Sequence, residues 1–139
     1  MIDVVKQYEG RWATQPVNVK EGILFSCYAP WATGVFVAGD FNGWKRKDTP
    51  LIKGKDDVWR VVLVLKPNRS HDYKFIVDGN WLNDPNNNDL NPDVAGGANS
   101  IIYLGSNGEV ILDGHPERKR FTLEGRQIYS GSYVSTIYN

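Results

Sequence analysis

A chain of 139 residues is long enough for one domain with a real hydrophobic core. Its 16 basic and 16 acidic residues cancel, which argues against a polyanionic partner such as nucleic acid, whose binding shows as a basic excess. A single cysteine, Cys27, excludes an internal disulfide framework, and no apolar run approaches membrane-spanning length. The opening Met-Ile-Asp-Val-Val-Lys lacks the basic-then-apolar build of a signal peptide, so a cytoplasmic protein is expected. Five Trp, seven Tyr and five Phe are many for this length, and rings of this kind supply buried area with a polar handle at binding surfaces.

Residues 1–21 form a weakly patterned N-terminal segment, in which Ile2–Tyr8 reads as a short helix or an edge strand. From Gly22 onward the punctuation is that of an all-β domain. Ile23–Ala29 alternates, with Ile23, Phe25, Cys27 and Ala29 on one face and Leu24, Ser26 and Tyr28 on the other, until Pro30 stops it. Gly34–Ala38 is the next strand. Lys45–Asp57 is charged and turn-rich, as a solvated stretch would be. Trp59–Leu65 is apolar at nearly every position, which predicts a central strand covered on both faces. Pro67–Ser70 is a turn, and Asp72–Asp78 alternates again, sending Tyr73, Phe75 and Val77 inward and Lys74, Ile76 and Asp78 outward. Asn80–Leu82 is short. Asp84–Gly97 is a long Asx-, Pro- and Gly-rich loop of a kind that is usually functional or disordered. Ser100–Leu104 and Glu109–Leu112 make a hairpin about an Asn-Gly turn. Short strands without βαβ alternation predict an immunoglobulin-like β-sandwich of the early-set type over residues 22–113. Residues 114–139 read as a charged connector followed by a β-rich C-terminal extension. That extension must pack on the sandwich, pair with a second copy in a homodimer, or stay mobile.

Two stretches share one design. Gly39-Asp40-Phe41-Asn42-Gly43-Trp44 and Asp78-Gly79-Asn80-Trp81 each follow a strand with a Gly/Asn turn and end in an indole. Glycine tolerates positive φ and Asn bonds back to its own backbone, so both are tight loops on which a large ring is hard to bury. Trp44 and Trp81 are therefore expected to form one exposed aromatic platform, with Lys74 on the face opposite the core between them. Flat indoles take the apolar C–H face of a hexose, and a lysine serves the hydroxyl rim. The competing reading makes both rings packing residues at the end of the sandwich. Trp12, Trp31 and Trp59 are assigned to packing, Trp59 to the core.

Other chemistry is poorly supported. Asp84–Asp89 imitates the start of a calcium loop but has Asp89 where the sixth-position Gly belongs and Ala95 at the twelfth in place of Glu, so an Asx-turn loop is preferred and no metal site is assigned. Glycoside hydrolysis needs two carboxylates across a cleft, and Asp40, Asp78 and Asp84 each sit in turn chemistry that accounts for them. His71 and His115 lack metal or triad spacing, and Cys27 shares its face with Phe25. No catalytic residue and no cofactor is expected. An oligonucleotide-stacking module is disfavoured by the neutral charge.

The run Gly22-Ile23-Leu24-Phe25, Ala29-Pro30, Ala32 and Val35 through Trp44 resembles family 48 carbohydrate-binding modules. These precede the barrel in glycogen-branching and isoamylase-type enzymes and form the glycogen-binding domain of AMP-activated protein kinase β subunits. Tyr73 through Trp81, then Asp84-Pro85 and Asn99-Ser100-Ile101-Ile102, are closer to the kinase-subunit version, and the resemblance covers about Gly22–Leu104. It implies that Trp44, Lys74, Trp81 and Asn99 touch an α-1,4-glucan. It also implies a bulky apolar residue in the loop before that Asn, where this chain has Ala95, with Val94 beside it as a substitute. The expected function is non-catalytic binding of glycogen, starch or maltooligosaccharides, which localises a partner such as a kinase or glycogen-metabolism enzyme on the polymer. The alternative is a protein-docking module of the same fold with weak or lost sugar binding. Beginning at Met1, the chain reads as a stand-alone adaptor in preference to an accessory domain cut from an amylase.

Overall fold

The computed structural model of the chain describes residues 4–111. The expected C-terminal extension over residues 114–139, with its strands and its homodimer contact, lies outside the described residues. Nine strands run in chain order among the described residues: β1 (Val17–Val19), β2 (Gly22–Tyr28), β3 (Val35–Gly39), β4 (Ile52–Lys53), β5 (Val58–Leu63), β6 (Arg69–Val77), β7 (Asn80–Leu82), β8 (Leu90–Pro92) and β9 (Ala98–Leu104). Two short 3-10 helices, Val4–Tyr8 and Asp40–Asn42, complete the regular structure among the described residues. No helix among them is long and apolar enough to cross a membrane. The fold is all-β and immunoglobulin-like, as the punctuation of the sequence predicts.

Two compact units share these strands, and β6 passes from one to the other. The first takes the residues up to Leu65 together with Tyr73–Asn86, and the second takes Lys66–Asp72 and the residues from Asn87 onward. In the first unit, an antiparallel sheet in the order β1-β2-β5-β4 faces a ladder in which β3 and β7 flank β6. Between the layers lie Phe25, Val37, Tyr73 and Phe75, all fully buried. Phe25 meets Tyr73 edge-on with ring centroids 5.0 Å apart, and Tyr73 meets Phe75 at 5.9 Å. Each such side chain contributes about 1.5–3 kcal/mol by leaving water. In the second unit β8 pairs antiparallel with β9, and β9 continues into a tight turn closed by the bridge between Leu104 and Val110.

Two expectations gain detail and two change. The Leu24/Ser26 face of β2 is buried along with the Phe25 face, because the N-terminal segment crosses it and the Thr14 N–H donates to Ser26 Oγ at 3.0 Å. The segment before Gly22 is thus part of the packing, and β1 pairs with β2 from Val17↔Leu24 to Val19↔Gly22. Within the charged stretch Lys45–Asp57, Leu51 is buried and β4 pairs with β5. Trp59 packs as expected, its indole N–H donating to Ala29 O at 2.9 Å. Trp12 and Trp31 do not, at 89% and 68% exposed. Trp31 falls in the turn beyond Pro30, where the strand has ended and no inward face remains, and Trp12 precedes β1 on an irregular segment.

Arg60 interrupts the apolar run of β5 and is nevertheless almost fully buried. Its guanidinium makes a two-pronged ion pair with Asp56, Nη2 to Oδ2 at 2.7 Å and Nη1 to Oδ1 at 3.1 Å, and Nη2 also donates to Arg11 O. Hydrogen bonds from Arg60, then from the Gly10 and Val58 N–H groups, hold the Asp56 carboxyl well below the usual carboxylate range. This pair ties the N-terminal segment to the outer side of β5.

Candidate functional site: two indoles on one outer face

β3 ends at Gly39, and the chain turns through the Asp40–Asn42 helical turn into Gly43, whose φ of 67° is left-handed. Asn42 locks this loop with its side chain. Its Oδ1 accepts the Gly39 N–H at 3.0 Å, while Nδ2 donates to Val37 O and Thr49 Oγ1, both at 3.0 Å. The Trp44 N–H closes the loop onto Gly39 O at 2.9 Å. Trp44 itself has φ 61°, which is unusual for a residue with a large side chain.

The second indole stands on a hairpin. Val77 pairs with Asn80, so β6 and β7 are joined by two residues, Asp78 (φ 49°) and Gly79 (φ 84°). Positive φ at both positions is the type I′ turn that Asp-Gly favours and that matches strand twist. The Asp78 carboxylate is spent on structure, since Oδ1 accepts the N–H of Thr33 (2.8 Å) and of Gly34 (3.0 Å) and the Thr33 hydroxyl (3.0 Å). Those bonds, the Thr33 N–H foremost, hold its pKa below the ordinary value. From the other side Arg46, two residues after Trp44, donates from Nη2 to Gly79 O at 3.0 Å. The two loops are thereby fastened to each other.

Trp44 and Trp81 come together as the sequence predicts, ring centroids 6.4 Å apart and tilted by 42°. Trp81 is 42% exposed and Trp44 partly so. Lys74 lies opposite Ala38 in the β3–β6 register and Trp81 opposite Ile76 in the β6–β7 register. By the period of two, Lys74, Ile76 and Trp81 share the outer face, and Lys74 is partly exposed. Ile76 points outward as expected and is nevertheless buried: Phe36 and Trp81 flank it on that face and keep water off.

Asn99 and Ala95 belong to the second unit. Asn91 and Asn99 are cross-strand partners on β8 and β9, and both donate from Nδ2 to Asp72 Oδ2, at 2.9 and 3.1 Å. The Asn99 side-chain carbonyl makes no hydrogen bond among the described residues. Ala95 is exposed in a loop shaped by Asp93, whose Oδ1 accepts the N–H groups of Ala95 and Gly97, both at 2.9 Å. Val94, at the tip of that loop, is fully exposed.

The calcium-like stretch uses its side chains on backbone. Asp84 Oδ1 accepts the Asn86 N–H at 2.9 Å, and in the second unit Asn87 Oδ1 accepts the Asp89 N–H at 2.9 Å, which are Asx turns as expected. Asp84 is only 3% exposed, and Tyr73 donates its hydroxyl to Oδ2 at 2.7 Å. Burial raises its pKa to about 6 against the opposing pull of Tyr73 and Asn86. Cys27 is buried too, and burial pushes its thiol up to about 11.

An immunoglobulin-like sandwich whose edge hairpin and neighbouring loop hold two tilted indoles on one outer face defines a β-sandwich binding module. The chain belongs to carbohydrate-binding module 48 (isoamylase N-terminal domain), whose family pattern matches residues 12–93. It is 35% identical over 86 residues to 5'-AMP-activated protein kinase subunit beta-2 of Mus musculus, an alignment that covers 60% of this chain and 30% of the subunit. It is 36% identical over 73 residues to the 1,4-alpha-glucan branching enzyme GlgB of Corynebacterium jeikeium, covering 51% of this chain and 10% of the enzyme. The beta-1 subunit of Sus scrofa is 36% identical over 58 residues, 40% of this chain and 44% of that sequence. The chain thus spans less than half of the length of each of these relatives.

Proposed function

We propose that this chain binds α-1,4-glucan without acting on it, through Trp44, Trp81 and Lys74 of the first unit; for the second unit, Asn99 and the Val94–Ala95 loop are proposed as glucan contacts on the family resemblance alone. The observation that carries the reading is the indole pair, tilted by 42° on one outer face that Lys74 shares. Each indole stacks on the C–H face of one glucosyl ring, and the tilt follows the curvature of an α-1,4-linked chain, whereas a flat β-1,4 chain cannot lie on both rings. Lys74 donates to the hydroxyl rim, and Asn99 offers its free carbonyl to a sugar hydroxyl. Val94, fully exposed, takes the apolar role at the loop for which Ala95 is too small. Catalysis has no place in this reading, because Asp78 caps a turn and Asp84 is buried against the Tyr73 hydroxyl.

Membership of a carbohydrate-binding family supports the sugar, and relatives named as a kinase subunit and a glucan branching enzyme support the role of localising a partner on the polymer. The module is proposed over residues 22–113, with the N-terminal segment packed onto it through β1, and with a cytoplasmic location and a kinase or glycogen-metabolism enzyme as the partner. Co-sedimentation with glycogen tests the reading: the chain should pellet with the polymer and be released by maltoheptaose. If it stays in the supernatant at ~1 mg/ml glycogen, where sites of ~10 µM to 1 mM affinity would be engaged, the glucan reading fails and a protein-docking role takes its place.

A further inference from the structure

The first unit carries a second aromatic hollow. A cavity of about 600 Å³ opens between Trp12, Tyr28, Val58 and Pro85, with Arg11 and Asn86 also on its lining. That volume is in the ~300–1,000 Å³ range of small-ligand sites. Its rings are left to solvent, Trp12 at 89% and Tyr28 at 57% exposed. The polar groups around them are equally unspent. The Trp12 indole N–H, the Tyr28 hydroxyl and the Asn86 side-chain amide make no hydrogen bond among the described residues. The Arg11 guanidinium lies over the Tyr8 ring, 4.9 Å from its centroid, and has no carboxylate partner among them.

The position of the hollow separates it from the indole pair. Phe25 and Cys27 of β2 face the core, so Tyr28 leaves that sheet on its outer side, while Trp81 leaves the opposite sheet on its outer side. Asp56, also on the lining, is held by Arg60 and by the Gly10 N–H at 2.8 Å, so that wall is fixed and its carboxylate is already engaged.

We infer that the Trp12–Tyr28 hollow is a second carbohydrate site, which takes one or two rings of another α-glucan segment. The choice of a sugar rests on the hollow itself. Two exposed rings offer stacking surface, and the Trp12 N–H, the Tyr28 hydroxyl, the Asn86 amide and the Arg11 guanidinium at their edge suit a ligand with an apolar face and many hydroxyls. A hydrocarbon ligand would leave those polar groups buried and unpaired. The choice of α-glucan as the sugar rests on the function proposed above. With sites on opposite faces, one molecule can hold two neighbouring chains of a branched polymer.

The test is a titration of the full chain with maltoheptaose, followed by the indole N–H resonances of its five tryptophans in a ¹H–¹⁵N spectrum. Trp12→Phe, Trp44→Phe and Trp81→Phe assign the peaks. The expected result is a saturable shift of the Trp12 peak that persists in the Trp44→Ala/Trp81→Ala double variant and is lost in Tyr28→Ala. A Trp12 peak that stays still up to ~10 mM sugar, the weak end of specific binding, overturns the inference, as does one whose movement disappears in a folded double variant. If the double variant does not fold, Tyr28→Ala decides: a Trp12 shift that survives it overturns the site. A moving Trp12 peak with silent Trp44 and Trp81 refutes the indole-pair reading and leaves this site standing.

Discussion

Asp84 lies in the core with a raised pKa, so folding stability should depend on pH in a window where ordinary surface carboxylates contribute little. In the unfolded chain the group titrates near 3.8, and in the native state burial lifts it to about 6. Between those values the folded protein holds a proton that the unfolded chain has released, so stability falls as pH rises from about 4 to 6 and levels off above. At about 1.4 kcal/mol per pH unit of separation, the full swing is about 3 kcal/mol. Asp56, with its lowered pKa, acts in the other direction and below this window: its contribution is present above the ordinary carboxylate value and is lost only in stronger acid. Urea unfolding of wild type and Asp84→Asn across pH 4–7 isolates the effect. Asparagine keeps the acceptor for the Asn86 N–H, and its amide donates to Tyr73 once that hydroxyl rotates. The variant should be less stable than, or equal to, wild type at pH 4 and gain on it by about 2–3 kcal/mol by pH 7. Tyr73→Phe, which removes a bond favouring the ionised form, should move the wild-type transition to higher pH. A stability difference between wild type and Asp84→Asn that is constant over pH 4–7 would refute the reasoning.

Trp44→Ala and Trp81→Ala should each cost about 1–3 kcal/mol of maltoheptaose binding by calorimetric titration, as expected of aromatic anchors, with the fold retained. Rings that matter only for packing would instead give low melting temperatures and unchanged affinity. Arg46→Ala frees the Gly79 carbonyl and should weaken sugar binding by about three- to tenfold, roughly the net worth of one solvent-exposed hydrogen bond, while Arg46→Lys restores most of it. The near-ultraviolet circular dichroism of the indole pair should change with the loss and return with the rescue, which a merely stabilising arginine would not produce. Asp56→Ala strands Arg60 as a buried unpaired charge and should cost about 3–5 kcal/mol in thermal or urea unfolding. Replacing Arg60 by Leu in the same chain should recover much of it, and no recovery would place the loss elsewhere.

The strands were legible wherever apolar residues alternate between turn signals, as in β2 and β6. The indole pair was legible because each ring follows a Gly/Asn turn at a strand end. Asp78-Gly79 is a local signature and sets its own turn. What stayed hidden depends on residues distant in the chain. Ile76 alternates outward, and only the register that puts Phe36 and Trp81 beside it explains its burial. Arg60 looks like a breach in an apolar strand until Asp56 and the Arg11 carbonyl close around it. β8 was concealed in a loop because Leu90-Asn91-Pro92 lacks β-formers and proline is tolerated only at an edge. The exposure of Trp12 and Trp31 ran against composition, because large rings usually mark a core and only the backbone path places these two outside it.

Trp44 is held at φ 61°, a conformation that suits glycine and costs a large residue on the order of 1–3 kcal/mol. Position 44 therefore sets two kinds of fitness against each other. Glycine there would relieve the backbone and remove the ring, so a library selected for heat resistance alone should discard Trp44, while one selected on glycogen beads should keep it. Trp44→Gly should also be more stable than Trp44→Ala, the reverse of the order in a strand, because alanine inherits the strain without the stacking surface.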